Sequence, residues 1–305
     1  MRNTFISLLL ATLTSACEST QAQTPPQSDS PVCTLAEQST DVLNQWRENG
    51  FEDQLTDTAA RDFASCLGDP SPFLRDQIGY EGLTAALRSG NVSEAMRRDL
   101  IADLSVNLET IDKAGFLAPF SALALSELAR TDRVEAFLSP AERTALAQTA
   151  ANYLAGVSDF RAYSDTEGWR HGVAHGADIA MQLALNPNVE TADLRTLKRA
   201  ITSQITARTS HAFSAGEPER LARPIFFMAT REVFTDDEWA DWFSALADPA
   251  PMADWSGAFK SEIDLARLHN LKVFARVIYI NASLSENEAL IPLATGSLEM
   301  LKTLP

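Results

Sequence analysis

Basic residues are in short supply: 25 Lys and Arg stand against 41 Asp and Glu, a formal net charge of −16 at pH 7. The densest basic cluster is only the pair Arg97-Arg98. Such a chain has little with which to neutralise phosphates, which argues against nucleic-acid binding and against adsorption to anionic lipid headgroups. Alternating Val/Ile/Thr stretches bounded by Asn-Gly or Asp-Gly turns are missing, so strands find no place. A Gly-rich phosphate loop, a nucleophile elbow and a Cys-x2-Cys pair are missing too. Past the amino terminus, no charge-free stretch approaches the ~20 residues that span a bilayer. Cysteine is scarce, with Cys17, Cys33 and Cys66 the only three.

What is present begins with an address. The opening MRNTFISLLLATLTSACEST has the form of an export signal: Arg2, an apolar run from Phe5 to Leu13, then small residues. Two exits compete. Leu13-Thr14-Ser15-Ala16-Cys17 resembles a bacterial lipoprotein processing box, which would make residues 1–17 the signal and Cys17 the lipidated first residue; Thr14 stands where that pattern usually has leucine. The rival is conventional cleavage near residue 22, after Thr20-Gln21-Ala22. The first exit gives a periplasm-facing lipoprotein that meets the membrane only through its lipid, the second a soluble periplasmic or secreted protein. Residues 18–32, rich in Pro, Ser, Gln and Thr, read as a flexible tether. In an oxidising compartment Cys33 and Cys66 make one disulfide; the alternative is two buried thiols.

From residue 33 to 305 the composition is even and the pattern helical, which predicts a single all-α domain. Ser139-Pro140 with Glu142 opens one helix as a capping box, and Thr235 followed by three acids opens another. A helix over 71–90 starts at Ser71-Pro72. Further helices fall at roughly 93–108, 116–130, 167–186, 190–208, 218–232, 258–283 and 286–302 by the same periodicity. Moderate helices joined by short connections suggest stacked antiparallel pairs, an α-solenoid of HEAT-like kind. No clean repeat supports it, so an irregular all-helical globule is the alternative.

The most distinctive stretch is GWRHGVAHGAD, residues 168–178, which holds two of the four histidines. Wound as a helix, His171, His175, Asp178 and Gln182 fall on a stripe about 60° wide. Most of the remaining circumference is apolar or glycine, the mark of a buried helix. Gly172 and Gly176 weaken the helix and invite close approach of a backbone or ligand. Three readings compete. In the first, His171, His175 and Asp178 hold a divalent metal, with a further ligand from His211, Glu217 or Glu219. In the second, a metal-free polar pocket uses His175 as acid or base, held in one tautomer by the aspartate. In the third, the side chains bond to neighbouring helices and fix their register.

The stretch SDFRAYSDTEGWRHGVAHGADIAMQLA resembles the signature region of a bacterial family catalogued as domain of unknown function 2785, in which Asp-x-Arg precedes Gly-Trp-x-His-x3-His-x-Ala-Asp. Asp159-Phe160-Arg161 and Gly168 to Asp178 match it residue by residue. LRDQIGYEGL (74–83), FLAPFSALALSELARTD (116–132), EPERLARP (217–224) and RLHNLKVFARVIYI (267–280) are also similar. Ala162 and Ala118-Pro119 depart from the family's usual residues. The resemblance implies an all-helical, solenoid-like fold and no reaction.

Outside the stripe, Glu217, Glu219 and Arg220 open a helix after Gly216, where acids suit its amino terminus, though they could also line a pocket. Asp159 and Arg161 read as a bracing ion pair, or Arg161 as a bidentate partner for a carboxylate or phosphate. Trp46, Trp239, Trp242 and Trp255 read as packing aromatics, and His211 and His269 as isolated histidines. The leading expectation is a cell-envelope helical module that binds an unknown protein or small molecule. Arg161, Trp169, His171, His175, Asp178, Glu219 and Arg220 are its candidate contacts. No cofactor is firmly implied, though a divalent metal fits the first reading. The rival is a hydrolase-type enzyme using His171, His175 and Asp178.

Overall fold

Helix starts are where the local sequence speaks most directly. Ser139 and Glu142 cap one another's backbone, as do Thr235 and Glu238, each pair satisfying amides that would otherwise be left free. The computed structural model describes residues 31–305. The export signal, Cys17 and most of the tether lie outside the described residues.

Within that range twelve α-helices follow one another. They are α1 (Thr40–Glu48), α2 (Asp57–Ser65), α3 (Glu81–Ser89), α4 (Glu94–Glu109), α5 (Leu117–Val134) and α6 (Pro140–Gly156). After a small hairpin come α7 (Gly172–Leu185), α8 (Thr191–Ile205), α9 (Glu217–Thr230), α10 (Asp236–Leu246), α11 (Glu262–Ser283) and α12 (Ile291–Thr303). All-α is the fold class. The exceptions are β1 (Tyr163–Ser164) and β2 (Gly168–Trp169), which pair antiparallel with Tyr163 opposite Trp169. Among the described residues no helix is long and apolar enough to cross a membrane.

Three expected helices are redrawn. The segment 167–186 is not one helix: its first residues form β2, and α7 begins only at Gly172. Gly168 at φ 74° and His171 at φ 57° are both left-handed, which breaks a right-handed helix at each point. The helix over 71–90 enters α3 through a π-helical stretch, Phe73–Tyr80, where a side chain at Gly79 would press on the Phe63 carbonyl of α2 and on Cys66 at its end. The helix over 258–283 divides into a 3-10 stretch, Trp255–Lys260, and α11, which Ser261 caps.

Packing runs in two series. Helices α3, α5, α7, α9 and α11 each meet the next, as do α2, α4, α6 and α8. Contacts of α4 with α5 and of α6 with α7 join the series, over one buried apolar cluster that reaches from Cys33 to Leu304. Cys33 and Cys66 are disulfide-bonded, which ties the start of the described chain to the end of α2. At the centre lies α7, with eleven of its fourteen residues buried between α5, α6 and α9.

Candidate functional site

The approach to α7 is built by paired charges. Arg161 Nε donates to both Asp159 oxygens at 2.9 and 3.0 Å, so its guanidinium is committed to that partner. It lies over Gly115, whose φ of 77° and lack of a side chain admit it. Two further arginines clamp the hairpin, and neither stands out in the sequence. Arg75, fully buried, donates to the Glu167 carbonyl at 2.8 Å, and Arg170 donates to the Ala114 carbonyl at 2.6 Å. Their guanidiniums stand 4.0 and 4.1 Å from the centre of the Phe116 ring, a doubled cation–π contact. Burial pulls Arg75 below its ordinary pKa and Asp76 beside it pulls the other way.

The polar stripe of α7 is shared out among its neighbours. His175 is buried, with Nδ1 at 3.0 Å from the Pro119 carbonyl of α5 and its ring edge-on to Phe120. A carbonyl only accepts, so Nδ1 carries the proton. Asp178 is taken bidentately by Arg220 of α9, its Oδ1 at 2.9 Å from Nε. Burial raises the Asp178 pKa and Arg220 opposes that rise. Gln182 accepts from Arg133 of α5 at 3.1 Å. Three of the four stripe residues therefore fix the register of α7 against α5 and α9.

This corrects two of the readings. His171, His175 and Asp178 do not converge as metal ligands: His171 sits ahead of the helix in a left-handed turn and the Asp178 carboxylate is spent on Arg220. Among the described residues no group of three or more His, Cys, Asp and Glu side chains is placed to hold a metal ion. Nor does aspartate set the tautomer of His175; the Pro119 carbonyl does. Burial, with His171 and Arg220 nearby, drives the His175 pKa down to about 3, so it is neutral across the physiological range.

A pH dependence follows. The unfolded chain takes up a proton at this histidine near pH 6.5 and the folded chain refuses it. Stability is therefore full above that pH and declines by up to about 1.4 kcal/mol per pH unit as pH falls toward 3. His171, also lowered by burial, adds to the slope. His175→Gln keeps an N–H for Pro119 but does not titrate, so urea midpoints between pH 4 and 7 should vary less steeply in that variant. An unchanged slope would show that His175 does not report the burial described here.

The remaining candidates separate. Glu219 is exposed at the start of α9 and Glu217 is buried there, with Oε2 accepting from Ala215 N–H at 2.8 Å. Trp169 is 40% exposed and stacks on His171 with ring centres 4.7 Å apart.

The first residue of α7 borders a concavity that periodicity does not reveal. Gly172 faces Tyr153 of α6, and between them, the start of α5 and the end of α4 lies a half-open cleft of about 340 Å³. Its lining is more apolar than polar and includes Pro119 and Val157; Asp112, Asn152, Tyr153 and Asp159 supply polar atoms. Asp112 accepts from the amides of Ala114, Phe116 and Leu117 and so holds the turn into α5. Tyr153 is half-buried, and desolvation of its phenol, with Asp159 nearby, pushes its pKa well up, which leaves it neutral.

A family model described as "Protein of unknown function (DUF2785)" matches residues 104–280. The signature stretch and the blocks at 116–132, 217–224 and 267–280 fall inside that match, and the block at 74–83 lies before it. No curated protein and no solved structure matches the chain.

Proposed function

We propose, for a chain that belongs to the DUF2785 family and so comes with no assigned activity, that it is a helical ligand-binding module whose site is the cleft beside Gly172. The observation that carries this reading is the cleft itself: about 340 Å³, lined by apolar side chains such as Leu108, Pro119 and Val157 together with polar ones such as Asn152 and Tyr153. Those are the dimensions and lining of small-molecule sites in general. Every residue that lines it, from Ser105 to Gly172, lies inside the matched stretch. A groove between α10 and α12, about 450 Å³, is larger but runs past that stretch to Thr303.

The stripe supports the same reading. By tying α7 to α5 and α9, His175, Asp178 and Gln182 hold Gly172 where it borders the cleft. The two series of helices, each packed on its next-but-one neighbour, support a solenoid-like stack, in which such clefts open between helix ends. The export signature from Arg2 to Cys17 supports a place in the cell envelope. A hydrolase using His171, His175 and Asp178 finds less support, because the buried histidine and the paired carboxylate are occupied with holding the fold.

Ala118 borders the cleft and is half-buried, so Ala118→Trp fills the space without entering the core. A screen of small polar and aromatic molecules by thermal shift should return ligands that raise the melting temperature of the wild-type protein and not of this variant. Ligands that stabilise both proteins equally, or a screen in which none stabilises the wild type, would remove the cleft as the site.

A further inference from the structure

Where the hairpin, the start of α9 and the loop before it come together, three side chains are left with capacity to spare. The Nε2 atoms of His171 and His211 are both buried and neither has a hydrogen-bond partner. Glu217, 3% exposed, uses Oε2 on the Ala215 amide, while its Oε1 lies 3.9 Å from His211 Nε2, too long for a hydrogen bond. Burial lowers the His171 pKa and Arg220 adds to that, while Glu217 and the Ala215 backbone beside the ring favour its protonated form, so His171, Ala215 and Glu217 are neighbours. Buried polar groups ordinarily find partners, so three underused ones side by side call for an explanation.

The surroundings narrow what could satisfy them. The walls are aromatic: Trp169 stacks on His171, Phe160 stacks on His211 at 5.0 Å, and Phe213 stands 5.9 Å from the same ring. The nearby cations are taken, Arg220 by Asp178, Arg161 by Asp159 and Arg170 by Glu167. The groups left to be satisfied are one carboxylate and two imidazoles able to accept. An anion would meet Glu217 with no free positive charge to offset it. A metal would need its ligands within about 2.1 Å, and these groups are not so placed. An N–H donor reaches an acceptor about 2.9 Å away and tolerates the wider spacing.

We infer that His171, His211 and Glu217 form a binding site for a primary ammonium group of a small molecule, with Trp169 and Phe160 as its aromatic walls. The ammonium gives one N–H to Glu217 Oε1 and one to each imidazole Nε2, and its positive charge is met by the Glu217 carboxylate. The loop that carries His211 is held for this purpose from α11: Asn270 accepts from the Phe213 amide at 2.7 Å and donates to the His211 carbonyl at 3.1 Å. The rim is open, since Trp169 and the His211 side chain are both partly exposed. This site is separate from the cleft and does not depend on it.

The test is a titration of the protein, its histidines labelled with 15N, with methylammonium chloride, following the ring nitrogens by long-range 1H–15N correlation. The Nε2 signals of His171 and His211 should move together and saturate. Sodium acetate and tetramethylammonium chloride, the one an anion and the other without N–H donors, should leave them in place. Glu217→Gln keeps an acceptor for the Ala215 amide and removes the charge, and should weaken methylammonium binding by about tenfold or more. Its thermal melt shows whether it has folded. Should it fail to fold, the three-way comparison on the wild-type protein decides alone. The inference is overturned by linear, unsaturating shifts, by equal binding of acetate or tetramethylammonium, or by a folded Glu217→Gln variant that binds as the wild type does.

Discussion

Replacing Asp132 with alanine should destabilise the protein by about 3–5 kcal/mol, the range for breaking a buried, hydrogen-bonded ion pair from one side. The carboxylate is 1% exposed and sits where the end of α5, the start of α6 and the end of α7 meet. Its Oδ1 accepts from the amides of Phe137 and Leu138 at 3.0 and 2.8 Å. Its Oδ2 accepts from Arg143 Nε at 2.6 Å and from Asn186 Nδ2 at 2.9 Å. Without it, Arg143 keeps a buried charge with no counter-ion and two amides lose their acceptor. For a chain of this size the melting temperature should fall on the order of 10 °C. A loss below about 1 kcal/mol would mean that Arg143 reaches water in the variant, and the pair would not be the anchor described.

The same carboxylate sets an acid limit. Burial alone would raise its pKa, but the bonds from Arg143, Leu138 and Phe137 outweigh that and hold it below the ordinary 3.8. A group depressed in the folded state contributes its stability above the unfolded value and surrenders it as pH falls through the folded one. The Asp132 contribution is therefore intact at neutral pH and is lost as pH falls below about 3.8 and through the lower folded value, at the acid end of the window in which His175 acts.

Loss of the Cys33–Cys66 bond is the second large effect. The bridge closes a separation of 33 residues, and the loop-entropy relation for that length gives about 3–4 kcal/mol of stabilisation through the unfolded chain. Urea unfolding with and without reductant, repeated on a Cys33→Ser, Cys66→Ser variant, should show a lower midpoint whenever the bond is absent. Leu35 and Leu43, both buried, follow the first cysteine, so α1 and the segment before it should lose amide protection first. Midpoints that do not move would show that the unfolded chain is compact over this stretch without the bond.

Helix boundaries were legible wherever a side chain closes its own backbone, as Ser139 does with Glu142 and Thr235 with Glu238. The buried character of α7 was legible too, because an apolar circumference has few other outcomes. What escaped was set at long range. Asp178 meets Arg220 across 42 positions, His175 meets Pro119 across 56, and Arg75 meets Glu167 across 92. Spacing along one helix shows which residues share a face and is silent about what stands opposite. The hairpin escaped for another reason: strands of two residues are too short to alternate, and only Gly168 hinted at the reversal. The cleft lies between helix ends, so no periodicity within a helix could have marked it.

One consequence of α7 concerns fragments. A fourteen-residue helix with glycines at its first and fifth positions, and no side chain capping its amino end, falls short of what an isolated peptide needs to stay helical in water. Its shape is lent by α5, α6 and α9. The wall it gives to the cleft, and the turn that presents His171, thus come into being only when those helices have assembled. A truncated piece carrying the signature residues would keep their order and lose the cleft wall and the His171 turn at once.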